Sequence, residues 1–253
     1  MAKKILITGI SRGIGRATAE KFLENGDIVV GTYFSSEDKA KELLMKYGEK
    51  KVELIGPYDF TDIEQVNTLL EELHDYKFDS IICNAGKFSE NDDFLKFDLK
   101  EFSHIMNCNF YATMILCIGL QNNILAGGSI VIMSSNDAYS GAYSSMSYTI
   151  SKAALISLTK CLCVNFGNKR IRVNSVAPGA INTDMNTEEQ MVLSPQYTPI
   201  GRVGQPREVA NVVYFLTSEE ASFINGENIT IDGGFGNVSI LLKSEADGAR
   251  SNN

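Results

Sequence analysis

Short apolar runs alternate with longer amphipathic stretches along most of the chain. The runs Lys4–Thr8, Asp27–Thr32, Lys51–Ile55, Ser80–Cys83, Ser129–Ser134, Arg172–Val176 and Asn228–Ile231 are rich in Ile, Val and Leu. Several are nearly continuous, as strands buried on both faces require. Between them Ile14–Asn25, Glu37–Tyr47, Asp62–Asp75, Lys100–Asn123, Ser151–Gly167 and Pro206–Thr217 read as helices. This alternation predicts an α/β fold: a doubly wound, mainly parallel sheet of Rossmann type with helices on both faces. No internal repeat and no Pro/Ser-rich linker divides it, so residues 1–243 read as one domain. The last residues, Ser244–Asn253, are polar without an apolar period and read as a loose tail.

Composition narrows the possible partners. The 253 residues, 44% hydrophobic and 21% charged, suffice to bury a large core. A net charge of −8 argues against nucleic acid or an anionic membrane as the main partner, since both demand a basic face. No run of about 18 apolar residues suggests a transmembrane helix. The apolar run after Lys4 is too short for a signal peptide. Both features point to the cytosol. Cysteines 83, 108, 117, 161 and 163 are odd in number and form no CxxC, so neither a disulfide framework nor a metal site is expected. His74 and His104 have charged neighbours and no visible orienting partner, and read as solvated. The acidic pairs Glu71-Glu72 and Glu188-Glu189 read as solvated faces.

The first strand runs into Thr8-Gly9-Ile10-Ser11-Arg12-Gly13-Ile14-Gly15-Arg16, and a helix follows. A helix N-terminus offers unpaired N–H groups and the positive end of its dipole, which suit a phosphate. Glycines let the backbone turn tightly and approach a pyrophosphate. The spacing excludes a P-loop, because Ile14 stands where its second glycine is needed and no Lys follows. An NAD site usually has an acidic residue after the second strand to hold the ribose 2′-hydroxyl. Here that stretch reads Thr32-Tyr33-Phe34-Ser35-Ser36, without a carboxylate. Arg12, with hydroxyls from Thr32, Ser35 or Ser36, matches a 2′-phosphate instead, which favours NADPH (NADP) as the cofactor.

A second constellation carries candidate chemistry. Tyr148 and Lys152 are four apart, so on a helix they share a face. A free phenol has a pKa of about 10, and a neighbouring ammonium is expected to lower it. Such a phenol can give a proton to a carbonyl oxygen or take one from an alcohol. Ser135, after the fifth strand, is placed to hydrogen-bond the same oxygen. Alone, Tyr-x-x-x-Lys equally describes a solvated helix pair.

Taken together, Thr8-Gly9-x-x-x-Gly13-x-Gly15, Asn84-Ala85-Gly86, Asn109, Ser135, Tyr148-x-x-x-Lys152 and Pro178-Gly179 resemble the short-chain dehydrogenase/reductase family over about residues 3–235. The resemblance implies roles for further residues. Asn109 would support a proton relay to Lys152. Asn84, Ala85 and Gly86 would lie by the adenosine, with Asp59 and Phe60 near the adenine. Pro178, Gly179, Ile181 and Thr183 would receive the nicotinamide carboxamide. Val176–Met185, Gly201-Arg202-Val203-Gly204 and Ile231-Asp232-Gly233-Gly234 are similar to β-ketoacyl thioester reductases. That likeness implies a ketone or acyl thioester substrate, an acyl carrier protein as a possible deliverer, and a homodimer or homotetramer. Against carrier delivery, Leu125-Ala126-Gly127-Gly128 stands where basic residues are often found, although Lys169 and Arg170 keep positive charge nearby.

Enoyl reductases of the superfamily use Tyr-x-x-Met-x-x-x-Lys. Tyr143-Ser144-Ser145-Met146 begins that way, but Ile150 stands in the Lys position. Tyr143 either lines the substrate mouth or covers the Ser135 loop. A lid around 184–200, with Met191, Val192, Leu193 and Tyr197, should make part of the pocket apolar. The helix stripes Ile105, Tyr111, Ile115 and Leu155, Leu158, Leu162 serve either a subunit interface or the core. Alternatives to a ketoreductase are an alcohol, sugar or steroid dehydrogenase, and a non-catalytic nucleotide-binding regulatory protein.

Overall fold

Seven parallel strands form one sheet in the order β3-β2-β1-β4-β5-β6-β7. They are β1 Lys4–Ile7, β2 Ile28–Thr32, β3 Val52–Ile55, β4 Phe78–Cys83, β5 Ile124–Met133, β6 Arg172–Pro178 and β7 Asn228–Ile231. This structure, a computed structural model, describes residues 2–89, 94–141, 145–239 and 243. The expected tail and Tyr143 lie outside the described residues.

Both sheet faces are covered, which explains the continuous apolar strands. Leu6, Val30, Ile81, Ile130 and Ile132 point into one core, closed by Leu69 of α3 (Ile63–Glu72), Leu116 of α5 (Ala112–Gly119) and Leu155, Leu158 and Leu162 of α6 (Met146–Phe166). Their strand neighbours Ile5, Ile7, Val29, Ile82, Val131 and Met133 point into the other. That core is closed by Phe22 of α1 (Gly13–Glu24), Leu43 of α2 (Glu37–Tyr47) and Val213 of α8 (Pro206–Leu216). Each buried side chain of this size contributes about 1.5–3 kcal/mol of transfer free energy.

Helix ends follow local chemistry. Asp62 accepts from the Glu64 N–H at the start of α3, and Asp98 from the Lys100 N–H at the start of α4 (Leu99–Met106). Gln205 and Glu208 form a reciprocal cap on α8, with Pro206 in its first turn.

Four elements depart from the periodicity. The stretch expected as one helix over Lys100–Asn123 is α4 and α5 joined by a π-type turn, Asn107–Tyr111. β5 begins at Ile124 rather than Ser129, because its register against β4 shifts through Gly127-Gly128. α6 begins at Met146, five residues before the apolar period does, and so takes in Tyr148. α7, Glu188–Tyr197, has no counterpart among the expected helices. α6 is also, among the described residues, the one helix long and apolar enough to cross a membrane. Its Leu155, Leu158, Leu162 and Phe166 are buried in the sheet core. Of the two helix stripes, Ile105, Leu155, Leu158 and Leu162 are core, and Tyr111 is exposed.

Candidate active site

At the carboxyl ends of the strands lies one cavity of about 890 Å³. All the residues expected to bind cofactor or do chemistry line it, except Thr8 and Asn109, which are buried behind its wall. This is the position expected for ligands in an open parallel sheet.

The β1–α1 turn is clamped from β4. Thr8 Oγ1 accepts from the N–H groups of Asn84 and Ala85, both at 3.0 Å. Asn84 Nδ2 donates to the carbonyls of Thr8 and Gly9 at 2.9 and 3.1 Å. Thr32 Oγ1 accepts from the Gly9 N–H at 3.2 Å. Gly9 and Gly13 have φ of +75° and +56°, a region that favours glycine. Gly15 is needed for space: a Cβ there would lie 2.1 Å from the Gly9 carbonyl oxygen and 2.4 Å from Asn84 Nδ2. α1 opens on Arg12 in extended conformation, with no side-chain cap and no acidic residue in its first turn. Its N–H groups are thus available to an anion. Arg12 and Ser35 are exposed at the same end, and no carboxylate occurs between Thr32 and Ser36. Asp59, held by the Thr61 N–H and hydroxyl, and Phe60 lie beside them. The cradle fits a phosphorylated dinucleotide.

On the far side Thr183 stands over the turn, its Cγ2 3.4 Å from where a Gly13 Cβ would be. Pro178 ends β6, and Gly179 packs so closely on Asp232 that a Cβ would meet its Cβ at 2.7 Å. Ile181 is buried below. This loop lines the same cavity as Ser135, Tyr148 and Lys152, and Gly179 lies close to Asn136.

Lys152 is buried, and its ammonium donates to the Met133 carbonyl at 2.8 Å. Ser135 caps the 3-10 turn Asn136–Tyr139, accepting the Asp137 N–H at 3.2 Å. Asn109, in the π-type turn, is tied on all sides. It accepts the Lys87 N–H at 2.7 Å and donates to the Lys87 carbonyl and Ser151 Oγ, both at 3.0 Å. Ser151 Oγ in turn donates to the Tyr148 carbonyl at 2.7 Å. Gly86 brings two of these groups together: a Cβ there would lie 3.4 Å from both Asn109 Oδ1 and Lys152 Nζ.

Burial, with the field of Asp137, pushes the Tyr148 phenol up to about 12, against a weaker opposing hydrogen bond with Ser135. The Lys152 Nζ is held on the Met133 carbonyl and sits 5.4 Å from the Tyr148 ring centroid. Burial brings Lys152 itself down to about 8. The site therefore holds a protonated phenol beside an ammonium poised near neutrality.

Of the segment expected as a lid, Asp184, Met185, Asn186, Gln190 and Ser194 line the cavity, whereas Met191, Val192, Leu193 and Tyr197 do not. Gln190 and Ser194, four apart on α7, share the inward face. Two wall residues escape a motif-based reading. Phe88 sets its ring edge against Tyr148, centroids 5.3 Å apart. Asp137 enters the wall two residues after Ser135. Only adjacency to Gly86 and to Ser135 marks them in the sequence. His74 and His104 lie on the surface beside Asp75 and Glu101.

Fold and site together define an NAD(P)-dependent oxidoreductase acting on C=O and CH–OH groups. A family model described as enoyl-(acyl carrier protein) reductase matches residues 9–236. The FabG 3-oxoacyl-(acyl-carrier-protein) reductase of Aquifex aeolicus is 36% identical, the match covering 92% of this chain and 96% of that protein. A 3alpha-hydroxysteroid dehydrogenase of Mediterraneibacter gnavus is 35% identical, over 91% and 96%. A short chain dehydrogenase from Burkholderia cenocepacia, solved in complex with NADP, is 30% identical with a TM-score of 0.86, over 93% and 98%. The chain belongs to the short-chain dehydrogenase/reductase family.

The cradle makes a direct prediction. Gly15→Ala forces the Gly9 carbonyl and Asn84 apart, so NADPH binding, read by fluorescence titration, should weaken by at least about tenfold. At one hydrogen bond to a charged group, about 1.5–3 kcal/mol, a loss of this size is the minimum expected. Unchanged affinity would mean the turn does not hold the cofactor.

Proposed function

We propose that the protein is a cytosolic, NADPH-dependent ketoreductase acting on a β-ketoacyl thioester or a polyketide-like ketone. The observation that carries this reading is the meeting of Ser135, Tyr148 and Lys152 at one end of a cavity whose other end is the glycine cradle. A bound nicotinamide dinucleotide supplies the hydride. Tyr148 gives its proton to the carbonyl oxygen, a role suited to a phenol that burial keeps protonated. The Ser135 hydroxyl holds the same oxygen as negative charge develops on it. Lys152 replaces the lost proton and offsets the charge. Asn109 fixes the backbone of Lys87 and the start of α6, and so supports the relay.

NADPH is favoured by Arg12 and Ser35 and by the absence of a carboxylate after β2. The NADP complex of the Burkholderia relative supports the choice. Exposed Tyr111, Ile118, Ile150 and Val164 on the helices flanking the site leave apolar surface for another copy of the chain. Delivery by a carrier protein finds less support, since the Lys169 ammonium is held by Gln121 and Asn122. Oxidation of an alcohol, favoured by the hydroxysteroid dehydrogenase relative, is the second reading. It requires the phenolate, which burial and Asp137 both disfavour. A purely regulatory nucleotide-binding protein has no use for a phenol lining the cavity beside a buried ammonium.

Three outcomes are expected. Tyr148→Phe lowers kcat for NADPH oxidation with acetoacetyl thioester by about 10²–10⁴-fold while NADPH affinity stays within a few-fold; a near-normal rate removes Tyr148 as the acid. Arg12→Ala weakens NADPH by roughly 10–100-fold and NADH by less than about threefold, the loss of charge-assisted bonds to one phosphate. Equal losses, or wild-type turnover with NADH alone, would overturn the 2′-phosphate assignment. The kcat/KM profile for reduction stays level through neutrality and falls as pH rises through about 8, where Lys152 loses its proton. Tyr148, near 12, stays protonated throughout that range. A profile level to pH 10 takes the Lys152 ammonium out of the reaction.

A further inference from the structure

Asp137 sits on the 3-10 turn Asn136–Tyr139, directly after Ser135 and Asn136. The turn is pinned at several points. The Asp137 N–H donates to Ser135 Oγ, the Ala138 N–H to the Ser135 carbonyl at 3.2 Å, and the Tyr139 hydroxyl accepts from Asn228 Nδ2 of β7. The half-buried Asp137 side chain is thereby held in the cavity wall with Ser135 and Tyr148. Its charge is felt by both Tyr148 and Lys152, so it lies within electrostatic reach of the reacting centre.

The cavity's other carboxylates are differently placed. Asp59 is held by Thr61, and Asp184 pairs with Lys39 at 3.5 Å on the surface. Asp137 makes no ion pair among the described residues; its contacts are with Ser135 and the field of Lys152. Burial raises its carboxyl above the ordinary range, the sign of a carboxylate short of donors. The rest of this end of the wall mixes polar and apolar groups, with Asn136, Gln190 and Ser194 beside the rings of Phe88 and Phe235.

A half-buried carboxylate has a definite preference. An apolar group closing over it removes water without replacing its hydrogen bonds, an anion is repelled, and a donor is gained as a charge-assisted bond. We propose that Asp137 is a specificity-determining residue, selecting ketones that carry a hydroxyl or protonated amine a few atoms from the carbonyl and rejecting keto acids. This rests on the ketoreductase reading and narrows its substrate class.

Three small ketones of similar size test it: 4-hydroxy-2-butanone, 2-pentanone and acetoacetate, each assayed by NADPH oxidation. The wild-type protein should favour the hydroxyketone over 2-pentanone by tenfold or more in kcat/KM, with acetoacetate poorest. Asp137→Ala should bring the hydroxyketone-to-pentanone ratio at least tenfold closer to one. Asp137→Asn, which keeps the shape and removes the charge, should raise the acetoacetate-to-pentanone ratio at least tenfold. NADPH titration of each variant establishes that the cradle is intact. Because ratios are read, a general change in rate through Tyr148 or Lys152 does not imitate the effect. Ratios within twofold of wild type in both variants, or a wild type that treats the first two ketones alike, would overturn this inference and leave the ketoreductase standing. Silence of the wild type on all three ketones and on the thioester would overturn both.

Discussion

The clasp between the ends of β1 and β4 is the constraint on which the site depends. Thr8 Oγ1 takes two N–H groups from the β4 end, and Asn84 returns both amide hydrogens to the carbonyls of the β1 turn. Strand carbonyls and N–H groups that run out of ladder partners at a sheet end would otherwise be buried unpaired, at about 1–3 kcal/mol each. The clasp lies where the strand order reverses, between β1 and β4 of the sheet order 3-2-1-4-5-6-7. There the crossovers leave for opposite faces and a crevice must open. Because Asn84 is followed by Ala85 and Gly86, the same bonds that shape the phosphate cradle also set Gly86. Asn109 and Lys152 converge on Gly86. The clasp and the Asn109–Lys152 pair therefore meet on one short stretch of chain, Asn84 to Lys87.

The second constraint is the cost of burying Lys152. An ammonium in a low-dielectric wall loses hydration that a single carbonyl bond does not restore, and its affinity for a proton falls. The same burial acts on Tyr148 in the opposite sense, because its charged form is the deprotonated one. One environment thus moves the two groups apart in proton affinity, the phenol up to about 12 and the ammonium down to about 8. It leaves the phenol protonated through the neutral range and the amine as the group able to exchange a proton near neutrality. Asp137 adds negative charge, which holds protons on both groups.

Much of this was legible in the sequence, and the misses have physical causes. Short apolar runs marked every strand, and several were nearly continuous because burial on both faces leaves no alternation. The first residues of β5 were hidden by Gly127-Gly128, which shift the register and carry no side chain to show a pattern. The start of α6 was hidden because half of Met146–Ser151 is Ser and Thr, and Ser147 and Ser151 are buried while Ile150 is exposed, so no apolar face shows. The π-type turn at Asn107–Tyr111 is a change of hydrogen-bond partner, which leaves no periodic mark. α7 has apolar residues on its outside and Gln190 and Ser194 within, the reverse of the usual pattern. At the site, Tyr-x-x-x-Lys spacing placed two side chains on one face. It did not say that the Lys152 ammonium would turn to Met133 rather than to the phenol oxygen.

The two ends of the cavity are built from different materials, and this separates their functions. The cofactor end is made of backbone: glycines whose missing side chains leave room, helix N–H groups, and carbonyls clamped by Asn84. A side chain added at Gly9 or Gly15 there disturbs the main chain. The substrate end is made of side chains from three independent elements, with Phe88 after β4, Asp137 on the 3-10 turn and Gln190 and Ser194 on α7. None of the three supplies a hydrogen bond to the clasp. Substrate choice can therefore change at this end while cradle and relay stay in place. One fold can then serve proteins as different as a 3-oxoacyl reductase and a hydroxysteroid dehydrogenase at similar distance from this chain. In this chain the wall sets a carboxylate and two neutral polar groups beside the rings of Phe88 and Phe235.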